Sequence, residues 1–96
     1  MPAKITTSKI EETPSGWIFE VAISERGSET IHTVTLSKTD YERLTEGKAP
    51  PERLIERSFE FLLQREPKES ILRRFDLTKI GFYFPEYERE IHQRLG

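Results

Sequence analysis

The chain has 96 residues and a formal net charge of −2 at pH 7. This length suits one domain, so we expect residues 1–96 to fold as a single unit with a thin core and no deep cavity. An acidic surface does not attract phosphate backbones or anionic lipids, so neither nucleic-acid binding nor membrane binding is expected. The sequence has no cysteine, and its N-terminal segment lacks the apolar core of a signal peptide, which predicts a cytoplasmic protein without disulfides.

Residues 1–37 predict a three-stranded antiparallel β-meander. Ile, Val, Thr, Trp and Phe are frequent there, and turn-forming residues interrupt the stretch at 13–16 and at 25–29. Ile5 and Ile10 are out of phase for strict alternation, which predicts a bulge or incomplete pairing in the first strand. The side chains that alternation places on the core face are Trp17, Phe19, Val21, Ile23, His32, Val34 and Leu36.

Residues 38–96 are expected to form the helical part of the domain, because the apolar period changes from two to about 3.6. A short helix capped by Ser37 or Thr39 should end at Gly47. The longest helix is predicted over residues 51–65, since a proline suits its first position.

The longest helix is predicted to lie at the centre of the domain. Its apolar side chains cover an arc of about 200°, which is too wide for a helix that touches one neighbour. Phe59 and Phe61 lie near opposite edges of this arc. We therefore expect one of them to face the sheet and the other to face the C-terminal helices.

Three shorter segments are predicted to follow the central helix. Pro67 favours a short helix that ends around residues 75–76 with Ile71, Leu72 and Phe75 inward, and residues 77–84 look irregular or single-turn. Pro85 can begin a last helix with Tyr87, Ile91 and Leu95 on one face. The predicted fold class is thus α+β, a three-stranded antiparallel β-meander followed by a central helix and shorter C-terminal helices.

No arrangement of residues in the sequence is typical of catalysis or metal binding. His32 and His92 lack the spacings that pair histidines with each other or with carboxylates, and no phosphate-binding loop or nucleophile elbow occurs. Glu52, Glu56 and Glu60 line up on the polar arc of the central helix, which is typical of a solvated face. We therefore expect no enzymatic activity, no catalytic residue, no metal and no cofactor.

An aromatic cluster near the C-terminus is the candidate contact for a partner. Phe82, Tyr83, Phe84 and Tyr87 fall within six residues, and tyrosine and phenylalanine are favoured at the centres of protein interfaces. The competing interpretation is that these rings close the underside of a thin core. By elimination we expect a non-enzymatic binding domain that contacts a protein partner or associates with itself.

The order of a strand, a short helix and a longer helix between residues 30 and 59 resembles ribbon-helix-helix DNA-binding proteins. In that family, paired strands of two protomers enter the major groove. The resemblance would make Thr33 and Thr35 the nucleic-acid contacts. Three features depart from the family: the first helix is about a turn and a half too short, an extra hairpin precedes the strand, and residues 1–37 hold three basic against five acidic side chains. A DNA-binding regulator is therefore the alternative function.

A second resemblance covers most of the chain after the first strand. The segment FEFLLQREPKESILRRFDL at residues 59–77, followed by YFPEYE at residues 83–88, is similar to a group of small bacterial proteins. The resemblance implies a bacterial protein of one stand-alone domain. It implies no activity, substrate or cofactor.

Overall fold

The computed structural model describes residues 3–95, which form a mixed four-stranded sheet and four helices. The strands are β1 (Lys4–Thr13), β2 (Gly16–Glu25), β3 (Ser28–Ser37) and β4 (Arg74–Asp76). The helices are α1 (Lys38–Thr45), α2 (Pro51–Leu63), α3 (Lys79–Tyr83) and α4 (Tyr87–Leu95), with a one-turn 3₁₀ helix at Lys68–Ser70. The sheet order is β1-β2-β3-β4, in which the first three strands are antiparallel and β4 runs parallel to β3.

The predicted β-meander is confirmed, and its turns follow from local chemistry. Arg26 and Gly27 have φ values of 54° and 81° between the paired residues Glu25 and Ser28. Positive φ at both central positions is the requirement of a two-residue turn that matches the twist of the strands. The predicted bulge is also present, because the pairing of β1 with β2 shifts register at Ile10.

One face of the sheet carries the core, as alternation predicts. All the predicted core-facing side chains of β2 and β3 are buried except Trp17, which is half-buried and packs edge-on against Tyr41 with ring centroids 5.3 Å apart. The fully or nearly fully buried members of this face are Phe19, Val21, Ile23, His32, Val34 and Leu36.

Helix α2 lies between the sheet and the C-terminal segments, which confirms the central placement. Phe59 packs on the sheet side, with ring centroids 5.6 Å from His32 and 5.9 Å from Phe75. Phe61 packs on the other side, 5.9 Å from Phe84 and 5.3 Å from Tyr87. Both phenylalanines are fully buried. No helix within residues 3–95 has the length and hydrophobicity that crossing a membrane requires.

The prediction of a helix from Pro67 to residues 75–76 is wrong. Only one 3₁₀ turn forms there, and the chain then becomes extended and adds β4 to the free edge of β3. Leu72, predicted to point inward, is 48% exposed. Residues 77–84, predicted to be irregular or single-turn, contain the five-residue helix α3. Backbone pairing with a distant strand thus overrides the local helix signal, and the part after residue 37 is not wholly helical.

Candidate functional site

The predicted aromatic cluster divides into two core residues and two surface residues. Tyr87 is 1% exposed, and its hydroxyl is 2.6 Å from the hydroxyl of Ser58. Burial also raises the pKa of Tyr87 above its ordinary value. Phe84 is half-buried against Phe61. Tyr87 was predicted as a partner contact, but its side chain is buried in the core and offers no surface to a partner in this structure.

Phe82 and Tyr83 remain on the surface, and Tyr83 lines the same groove as Leu72. The exposed fractions of Phe82 and Tyr83 are 71% and 63%, and their ring centroids are 5.7 Å apart. Leu72 contributes a third exposed apolar side chain that the sequence did not indicate. We call Leu72, Phe82 and Tyr83 the apolar patch.

A groove of about 390 Å³ opens where the end of α2, β4 and α3 meet. Most of its lining is apolar, and Leu72 and Tyr83 of the apolar patch form part of it. Glu66 and Lys79 contribute its only charged groups among the described lining residues. The remaining lining residues are Leu62, Ser70, Ile71, Phe75, Ile80 and Phe84.

The basic residues near the groove differ in their ion pairing. Arg65 binds Glu86 and Glu90 at 3.1 and 2.8 Å. Lys68, which is 4% exposed, binds Glu69 at 2.7 Å. In contrast, no carboxylate of residues 3–95 lies within 4 Å of the charged nitrogens of three others, Arg73, Arg74 and Lys79.

Strand β4 forms the edge of the sheet beside this groove. The N–H of Thr33 donates to the carbonyl of Arg73 at 2.7 Å, and the N–H of Leu77 donates to the carbonyl of Thr35 at 2.9 Å. Alternate residues of a strand face the same neighbour, so the N–H and C=O groups of Arg74 and Asp76 point away from β3. These four groups have no backbone partner in the part of the chain that the structure describes.

The side chains of β4 lie on both faces of the sheet. Phe75 is opposite Val34 on the core face and lines the groove. Arg74 is opposite Thr33 and Asp76 opposite Thr35 on the other face. Asp76 is held in place because it accepts from the hydroxyl of Thr35 at 2.7 Å and from the N–H of Thr78 at 3.1 Å.

Thr33 and Thr35, the nucleic-acid contacts of the alternative function, lie in the interior of the sheet. Strand β3 is paired with β2 on one side and with β4 on the other. The hydroxyl of Thr35 is committed to the carboxylate of Asp76. Pairing of β3 across a dimer axis would require the displacement of one of these neighbours.

His32 is a fully buried residue that links β3 to the loop that contains Leu72. Its Nδ1 is 2.7 Å from the carbonyl oxygen of Leu72, which can only accept, so Nδ1 carries the proton. Its Nε2 therefore accepts from the hydroxyl of Thr30 at 2.9 Å. No group of three or more potential metal-binding side chains occurs among the residues described.

This buried histidine predicts a pH dependence of stability. Burial lowers the pKa of His32 below its ordinary value of 6.5, so the unfolded chain takes up the proton first as the pH falls. The free energy of unfolding should therefore decrease below pH 6.5, by at most about 1.4 kcal/mol per pH unit, until the folded-state pKa is reached. Urea denaturation between about pH 7.5 and 5.5 measures this loss.

Two variants separate His32 from other titrating groups. His32→Gln should remove most of the dependence, whereas His92→Gln, an exposed position in α4, should retain it. Glu12, Glu69 and Glu86 have pKa values below their ordinary value of 4.5, so they titrate under this window. The prediction would be contradicted if the urea midpoint of the wild type did not change with pH. It would also be contradicted if NMR showed the His32 ring titrating at its ordinary pKa.

A second groove, of about 630 Å³, lies beside β1 and is acidic. Its lining includes Glu25, Glu56, Glu60 and Glu66. Arg57 binds Glu56 and Glu60 at 3.5 and 2.8 Å. These pairs agree with the solvated polar face that the sequence predicts for α2.

Comparison with known proteins assigns no role to either groove. No protein-family profile, curated protein sequence or solved structure matches the chain. The apolar patch, its groove and the edge of β4 are the features of the molecule that bear on function.

Proposed function

We propose that the chain is a non-enzymatic protein-interaction domain whose binding surface is the groove between α2, β4 and α3. The observation that carries this proposal is the exposure of the apolar patch. Of the five large hydrophobic side chains that are exposed within residues 3–95, three lie in this patch. The other two are Ile10, at the bulge of β1, and Ile31, on β3. Clustered exposed apolar side chains are typical of interaction sites.

The polar groups of the groove favour binding over catalysis. Glu66, Ser70 and Lys79 lie in its lining. A nucleophile and its base need to be within hydrogen-bond reach of each other. No side-chain hydrogen bond joins any two of these three residues. The predominantly apolar lining supports a role in holding an apolar segment of another polypeptide.

Site-specific photo-crosslinking in the cells that express the protein tests this proposal. A benzophenone amino acid in place of Tyr83 should form an adduct of defined mass with another polypeptide. The matched control carries the same group in place of Glu52, an exposed residue of α2 that lines neither groove, and should form no such adduct. An additional Leu72→Glu change should reduce the yield from position 83. The absence of an adduct from position 83, or equal yields from both positions, would contradict the proposal.

A DNA titration tests the alternative function separately. We expect no binding of duplex DNA at micromolar protein concentration, because the chain is acidic and β3 is paired on both edges. Binding that weakens steeply between about 50 and 200 mM salt would support the regulator instead, provided that replacing Thr33 and Thr35 abolishes it.

A further inference from the structure

We infer that the partner in this groove is a second copy of the chain, joined by antiparallel pairing of the two β4 edges. The two-fold axis passes between the Phe75 residues of the two copies. This inference rests on the proposed function and specifies its partner. The pairing would join the two sheets into one sheet of eight strands.

The backbone of β4 is arranged for this pairing. The outward N–H and C=O groups of Arg74 and Asp76 have no backbone partner within residues 3–95. An antiparallel register centred on Phe75 places Arg74 of one copy opposite Asp76 of the other. Residues that oppose each other in this way exchange two hydrogen bonds, and the symmetry repeats the pair. All eight outward groups of the two edges are then used in four hydrogen bonds.

The charges on β4 select this register over its neighbours. Arg74 and Asp76 lie on the same face of the sheet, so each pair of opposing residues brings together unlike charges. Cross-strand pairs of opposite charge stabilise a sheet, whereas like charges destabilise it. A register shifted to either side would place Arg74 opposite Arg74 or Asp76 opposite Asp76. Arg74 is exposed and has no ion pair among the described residues, so it is available for this contact.

The groove side of the same edge supplies apolar contacts. Phe75 points into the groove, and the register places the two Phe75 residues in the pair where side chains approach most closely. Because the two strands are antiparallel, the segment after β4 in one copy lies beside the segment before β4 in the other. Tyr83 of each copy is thereby directed toward Leu72 of the other, which would cover the apolar patch. These contacts compensate for an edge strand of only three residues.

The opposite edge of the sheet has the features that prevent such pairing. Strand β1 contains a bulge at Ile10 and carries the charged side chains Lys4, Lys9, Glu11 and Glu12. Bulges and charges on an edge strand block the addition of another strand. The edge at β4 lacks a bulge, and its two charges are of opposite sign.

Sedimentation of the full chain with charge-reversed variants tests the inference. The wild type should change from monomer to dimer over about a thousandfold range of concentration, from micromolar to millimolar. Arg74→Asp places like charges opposite each other and should raise the dimer dissociation constant by about tenfold or more. Asp76→Arg should do the same. An equimolar mixture of the two variants restores both unlike pairs and should form a heterodimer with affinity near that of the wild type.

Controls keep this test independent of folding defects. Arg73→Asp makes the same change of charge next to β4, outside the proposed pair, and should shift the dissociation constant less than Arg74→Asp. Asp76→Arg removes the acceptor for Thr35 and Thr78, so circular dichroism must show that it folds. If Asp76→Arg does not fold, the dimer dissociation constants of Arg74→Asp and Arg73→Asp alone test the pairing of β4.

Each outcome distinguishes this inference from the proposed function. A wild type that stays monomeric at every concentration, or a dimer that tolerates Arg74→Asp, would overturn β4 pairing. An adduct from position 83 with a different polypeptide would overturn the second copy as partner but leave the interaction domain standing. An adduct between two copies of the chain supports both.

Discussion

Replacing Phe59 with alanine is expected to lower the free energy of unfolding by about 3–5 kcal/mol. The ring is fully buried between α2 and the sheet, where it packs against His32 and Phe75. Its removal leaves a cavity that the surrounding strands cannot fill without moving. A loss of this size is a large share of the roughly 5–15 kcal/mol that stabilises a small domain.

Urea denaturation followed by circular dichroism measures this loss. Phe82→Ala is the matched control, because the Phe82 ring is 71% exposed and its removal should change stability by no more than about 0.5 kcal/mol. Equal midpoints for Phe59→Ala and wild type would show that α2 does not pack on the sheet through this residue.

Replacing Phe61 with alanine is expected to cost a similar amount, about 3–5 kcal/mol, for a different reason. Its ring packs edge-on against Phe84 and Tyr87, and the guanidinium carbon of Arg65 lies 3.6 Å from its centroid. The substitution therefore removes the aromatic contacts between α2 and the C-terminal segments.

The two substitutions should lower stability by similar amounts but can be distinguished by hydrogen exchange. Phe61→Ala should increase amide exchange in α4 more than in the sheet. Phe59→Ala should instead increase amide exchange mainly in β4 and at the end of β3. The same Phe82→Ala control applies. If both variants changed exchange in the same segments, the separate roles assigned to the two faces of α2 would be wrong.

The β-meander could be predicted because its determinants are local. Alternation placed Phe19 and Val34 on one face, and turn-forming residues marked both hairpins. Strand β4 could not be predicted in this way. It has three residues, and its partner β3 lies about forty residues earlier in the chain. The composition of β4 alone therefore does not indicate the pairing. Pro67 favoured a helix, and the distant strand determined the structure instead.

Some residues of the candidate site could be predicted from the sequence and others could not. The density of aromatic residues led to Phe82 and Tyr83, which are exposed, but also to Tyr87, which is buried. The spacing of Tyr87 with Ile91 was already a signal for the core, since residues four apart share one face of a helix. Leu72 was missed because its exposure depends on the conversion of a predicted helix into an extended segment.

Amide hydrogen exchange at Arg74 and Asp76 tests pairing at the edge of β4 most directly. Their N–H groups point away from β3 and have no backbone acceptor within the described chain. In a dilute monomer they should exchange rapidly. At millimolar concentration exchange at both positions should be slow, because each N–H donates across the two-fold axis, and Arg74→Asp should restore fast exchange at Asp76. Fast exchange at both positions at every concentration would contradict pairing of the two β4 edges.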